Sequence, residues 1–230
     1  MKGSVLVIGS LLWENKTNSL NKNKGELREK WRKNLDFDNK IAVKVPIRYG
    51  RKSGSRICTY TMIFSNSVKS LGTAFIVPYK EETNSFKKIR QRAIELSKAE
   101  GISNKSSDSL IASWGAVGIA FNKNKGGIYD KLKKNWHKEF KTFKNKDYWI
   151  GSESPSIKEN GELNFEFEIP NTIDYVFATP VKPNIAEYPN NEKIIEAILE
   201  SNPRYDTYVI ENYQNEIRIE NDDELIEGLK

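Results

Sequence analysis

Cysteine and histidine are almost missing: the chain of 230 residues has one of each, Cys58 and His137. One cysteine excludes an internal disulfide and any cysteine-built metal cluster. A single histidine weakens the case for a transition-metal site, so no zinc is expected. Long apolar runs are lacking too. The VLVIG stretch before Gly9 is too short for a signal-peptide core, and nothing approaches the roughly 20 apolar residues of a membrane span. These absences predict a cytoplasmic chain with no membrane partner.

Basic charge is present but not gathered. The formal charge of +6 comes mostly from lysines interleaved with asparagines, as in NKNKG, NKNKGG and FKNKD. That is the composition of a solvated surface, so a nucleic-acid partner is not indicated. The length suits one large domain, residues 1–230. Oligomeric state is left open.

Read for period, the chain alternates strand and helix signals. Residues 4–8 form a buried strand ending at Gly9. Residues 15–40 are polar and form a loop with a short helix. IAVKVPIRYG, residues 41–50, is an edge strand running into a turn at RKSGSR. Residues 57–65 and 71–79 are further strands, rich in Thr, Tyr, Ile, Val and Phe. Phe86, Ile89, Ala93 and Leu96 then switch to the three-and-four spacing of a helix that Gly101 terminates. WGAVGIAFN, residues 114–122, is a strand. Residues 128–143 are a helix with Ile128, Leu132, Trp136, Phe140 and Phe143 on one stripe and Lys131, Lys134, Lys138 and Lys141 opposite. That lysine face reads first as solvent-exposed and second as a polyanion surface. A polar loop, 150–162, is followed by alternating FEFEI, a strand at IDYVFAT, a helix at NEKIIEAILES, a strand at DTYVIE and a terminal helix at DDELIEGL.

Two features carry chemistry. VLVIGSLLWE, residues 5–14, interrupts a strand-forming run with Gly9 and Ser10. Such a break either packs two apolar flanks or presents bare amides to a ligand. The second is Glu100, which falls with Ile89, Ala93 and Leu96 in an arc of about 60° on the helix projection. A carboxylate on that stripe, at a helix C-terminus, is bonded to something or has a raised pKa, which suits proton transfer; the plain alternative is a frayed end swinging into water. Arg48, Arg51 and Arg56 bracket the RKSGSR turn, either as a solvated basic turn or as anion donors. Cys58 and Tyr60 read as buried strand residues, and His137 as a surface residue without an acidic partner.

Ile8-Gly9-Ser10-Leu11-Leu12-Trp13 resembles the YGSL-type opening signature of the gamma-glutamylcyclotransferase family. GTAFIV at 72–77 and the helix ending in Lys98-Ala99-Glu100-Gly101-Ile102 resemble its strand and Glu-Gly element, in the same order. Ile8 stands where the family pattern has tyrosine, and the resemblance covers residues 1–125, leaving 126–230 as a C-terminal α/β extension of unassigned role. The resemblance implies an α+β fold, a small mixed β-barrel with flanking helices. It implies an enzyme that cyclises a γ-glutamyl amine or peptide to 5-oxoproline and releases the amine, with no metal or cofactor required. Glu100 would be the catalytic acid/base, and Gly9, Ser10, Leu11 and Leu12 the substrate cradle, with Arg48, Arg51 and Arg56 added from the residues as substrate-binding cations. A second reading keeps the pocket without turnover: a protein that sequesters a small anionic ligand such as a nucleotide signal.

Overall fold

A computed structural model of the chain describes residues 1–104 and 106–230, those at 126–128 without their side chains. The first strand, β1 (Gly3–Val7), is buried along its whole length. It leads through the Gly9 bend to α1 (Lys22–Arg32), whose first turn is capped by the Asn21 side chain accepting from the Lys24 N–H. Next come β2 (Ile41–Val45), β3 (Ile47–Ser53), β4 (Thr59–Phe64) and β5 (Gly72–Pro78). The α2 helix (Phe86–Glu100) starts at Ser85, whose hydroxyl accepts from the Lys88 N–H, and stops at Gly101, which takes the left-handed conformation at φ 86°. Beyond it lie β6 (Gly118–Phe121), α3 (Asp130–Glu139), β7 (Tyr175–Ala178), α4 (Asn191–Leu199), α5 (Thr207–Gln214) and α6 (Asp222–Glu227).

Five strands make one mixed sheet in the order β2-β5-β1-β7-β6, and β3 and β4 make a separate antiparallel hairpin. Among the described residues no closed barrel forms. The open sheet replaces the expected barrel because Pro46 lacks an N–H and separates β2 from β3, sending β3 to pair with β4 alone. β2 does lie at the edge, as its Pro-punctuated sequence predicts. β1 is antiparallel to β5 and parallel to β7. The fold is therefore α+β, with helices flanking the sheet. Among the described residues no helix is long and apolar enough to cross a membrane.

Residues 126–230 are not an appended unit. They supply β7, which lies inside the sheet between β1 and β6, and much of the core: Trp136, Tyr175, Phe177, Ile194, Tyr208 and Leu225 belong to one contiguous apolar cluster with Val5, Ile76 and Leu96. Parallel pairing of β1 with β7 brings together residues 172 apart in sequence, such as Gly3 and Tyr175, which local patterning cannot register. The expected lysine-faced helix runs 130–139, with Trp136 and Phe140 buried; Ile128 of the expected stripe lies outside the described side chains. Residues 165–169 form no strand, although Phe165 stacks on Phe64 at 4.4 Å.

The segment expected as a strand at 206–211 is helical. DTYVIE has β-branched and aromatic residues, but with its neighbours the buried set is Tyr205, Tyr208, Val209 and Asn212, a spacing of three and four. Tertiary contacts decide it: Trp13 Nε1 donates to Asn212 Oδ1 at 2.8 Å, and the Met62 N–H donates to Tyr208 Oη at 3.1 Å. Cys58, expected at the start of a buried strand, is exposed on a turn where Ile57 and Cys58 both have positive φ. His137 does have an acidic partner, Glu162, with Nε2 and Oε1 2.8 Å apart.

Candidate functional site

The bend after β1 is fixed by its own backbone and by α1. The Leu12 N–H donates to the Gly9 carbonyl at 2.9 Å, and the Glu14 N–H to the Ser10 carbonyl at 2.8 Å. Arg32 Nη1 donates to the Leu11 carbonyl at 3.0 Å. The N–H groups of Gly9, Ser10 and Leu11 meet no acceptor among the described residues. Gly9 is required by a neighbour that no local reading could foresee: a Cβ there would sit 2.5 Å from the hydroxyl of Tyr208 on α5.

Beneath the bend lies a buried charge cluster. Arg28 is fully buried and its guanidinium has four partners, of which three lie here: Nε donates to the Ala99 carbonyl at 3.1 Å, Nη1 to Ser10 Oγ at 2.6 Å, and Nη1 also to Glu14 Oε2. Arg56 Nη2 donates to Ser10 Oγ at 2.6 Å and to Glu14 Oε2 at 2.8 Å, while Ser19 Oγ donates to Glu14 Oε1. Two arginine donors fill the lone pairs of the Ser10 hydroxyl and leave its hydrogen to donate. Burial pushes the Glu14 carboxyl up, but Arg28 and Arg56, with Ser19 and Lys24, outweigh it and hold the group below the usual carboxylate value. One donor of the almost buried Arg56, Nε, has no acceptor among the described residues.

Glu100 joins this cluster. Its Oε2 lies 3.4 Å from Arg28 Nη2, and its side chain is 19% exposed. It is neither a frayed end nor a group sealed in the core. The carboxyl stands at the wall of a cavity of about 250 Å³, which Gly9, Ser10 and Leu11 also line. Lys24 of α1, Arg51 and Arg56 from the hairpin and Tyr208 from α5 add to the polar lining, and Trp114, Thr179 and Val181 line the cavity too. Arg51 is held there by donating Nη1 to the Lys182 carbonyl at 2.6 Å, with its guanidinium 5.6 Å from the Trp114 ring centre.

Two of the expected site residues lie elsewhere. Leu12 is buried in the core and its N–H is spent on the turn, so it anchors the bend and does not line the cavity. Arg48 pairs opposite Ile63 in the body of the hairpin and stacks 3.9 Å over the Tyr188 ring, in a different hollow. Nothing in the local sequence places Tyr188 there. The bulge between Tyr49 and Arg51 sets Arg51 apart from it.

Sequence reading missed Glu14, Lys24, Arg28 and Tyr208. Arg28 had a signal: Gly25, Arg28 and Trp31 are the buried positions of α1, so an arginine sits on a core-facing stripe by the same spacing that singled out Glu100. Tyr208 also supplies a hydroxyl beside the bend, where Ile8 replaces the tyrosine of the resembled pattern. Among the described residues no cluster of His, Cys, Asp and Glu could hold a metal ion. A scan of protein-family models and searches of curated proteins and solved structures return no match to this chain.

Proposed function

We propose that this cavity cyclises a γ-glutamyl amine or peptide to 5-oxoproline with release of the amine. The observation that carries the reading is convergence: Glu100, at the end of α2, and the Gly9–Leu11 bend, some ninety residues earlier, line the same cavity. The unmet N–H groups of the bend and the free Ser10 hydrogen offer donors for a carboxylate or for the oxygen of an attacked carbonyl. Arg51 and Arg56 offer positive charge for the substrate's α-carboxylate. Glu100, restrained by Arg28, takes the proton released when the substrate's α-amine attacks its own γ-carbonyl. A proton must then reach the departing nitrogen.

One observation favours a second reading, a pocket that holds a small anion without turnover. Among the described residues Lys24, Arg28, Arg51 and Arg56 stand against Glu14 and Glu100 at and beneath the cavity, and the unfilled Nε of Arg56 is a donor that an anionic group can satisfy. The experiment that separates them is incubation of purified protein with γ-glutamyl amides and peptides. Release of 5-oxoproline is expected, and Glu100→Gln is expected to abolish it while leaving Tm nearly unchanged. An inert wild type that binds small anions in calorimetry establishes the second reading in its place.

A further inference from the structure

Cyclisation needs two proton movements, and Glu100 accounts for the first. We propose that Lys24 is the second acid–base group of this site, delivering a proton to the leaving nitrogen while Glu100 takes one from the attacking amine. The inference rests on the cyclotransferase reading above and extends it to the leaving-group half of the reaction.

Lys24 lies in the first turn of α1, its backbone fixed by the Asn21 cap, and its side chain lines the cavity with Glu100. Its Nζ is 3.5 Å from where a Cβ on Gly101 would stand, so the amino group lies against the end of α2, one residue from Glu100. It enters no ion pair among the described residues. The charges that act on it are Arg28 and Arg56 on one side of the balance and Glu14 and Glu100 on the other. Burial first, then the like charge of Arg28, bring its ammonium down to about 8, so it parts with a proton near neutrality as an ordinary lysine does not.

The other donors at the cavity are poorer acids. Arg28, Arg51 and Arg56 keep their protons at any accessible pH. Burial pushes the Tyr208 hydroxyl up, and its oxygen already accepts from Met62. The step then balances. The α-nitrogen forms a bond to the carbon of the γ-carbonyl and loses a proton to the Glu100 carboxylate. The bond from that carbon to the leaving nitrogen breaks, and its electron pair takes a proton from the Lys24 ammonium. Transfer from the Glu100 carboxyl to the Lys24 amine, directly or through water, restores both groups.

Leaving-group chemistry tests this. An alkylamine cannot depart without a proton, whereas 4-nitroaniline departs far more easily, so wild type, Lys24→Met and Lys24→Arg are compared on a γ-glutamyl alkylamide and on γ-glutamyl-4-nitroanilide. Both variants are expected to lose about 100-fold in kcat on the alkylamide, as for removal of a general acid, with KM little changed. Both should keep most of their turnover of the nitroanilide, which also certifies that they fold. The wild-type alkylamide profile should fall above pH about 8 and the variants should lack that limb. Restored alkylamide turnover in Lys24→Arg would make the residue a mere positive charge and overturn the proposal, as would equal losses on both substrates; in either case the cyclotransferase reading stands. A wild type that releases 5-oxoproline from neither substrate removes that reading and this one together.

Discussion

Arg28 is costly to place, because it is buried to 0% exposure. A guanidinium taken wholly out of water is tolerated only when its donors are met, because the penalty is several kcal/mol per ion. Here the Ala99 carbonyl, Ser10, Glu14 and Glu100 meet them. The result ties α1 to the first bend and to the end of α2, and orients the carboxylate at the cavity wall. Asp222 pays the same penalty with less return. Burial holds its carboxyl up at about 7, against an ordinary 3.8, and the hydrogen bond from the Ile219 N–H and the charge of Arg218 offset this only in part. Between those values the folded chain keeps a proton that the unfolded chain has released, so stability falls as pH rises through that window. Asp222→Asn should therefore flatten the profile: the wild-type Tm is expected to drop from pH 5 to pH 8 by more than the variant's does, measured by calorimetry at fixed ionic strength. Parallel curves would contradict the burial argument.

At the scale of elements, what matters is where helices stop and which side of them is buried. Gly101 ends α2 with its N–H donating to the carbonyls of Ser97 and Lys98, and that stop leaves Glu100 as the last helical residue, at the cavity. A Cβ at 101 would meet only Lys24 atoms at 3.4 and 3.5 Å, ordinary contact, so the cost of a side chain there is conformational and not steric. Gly101→Ala is expected to lower stability by about 1–2 kcal/mol, the usual penalty for a left-handed residue with a side chain. A fall in the urea midpoint at constant m-value would register it, and an unchanged midpoint would mean that the helix end is not held as described. The terminus of α2 was legible because glycine, helical period and carboxylate lie within one local stretch. The helix α5 was not, because its β-branched residues speak for a strand and only packing against Trp13, Tyr49 and Met62 settles the matter.

For the whole molecule, the consequential fact is that β7 sits between β1 and β6. Residues 1–125 alone would leave β1 as an open edge and strip Tyr208 and Asn212 from the bend. That fragment is expected to be unfolded or aggregated, read by circular dichroism and by the amide dispersion of its NMR spectrum; a folded fragment retaining anion binding would refute this account of the core. The sequence by itself determined the mixture of strands and helices, the edge position of β2, the capped end of α2 and the suspicion attached to Gly9, Ser10 and Glu100. Each depends on propensity, period or a backbone constraint, which act over a few residues. Tertiary structure alone decided that the sheet stays open, that Arg48 leaves the site while Lys24, Arg28 and Tyr208 enter it, and that Gly9 must lack a side chain to admit a tyrosine hydroxyl. Those outcomes depend on pairings between residues far apart in the chain, whose free energy is set by shared burial and charge compensation and leaves no periodic trace in either partner's own segment.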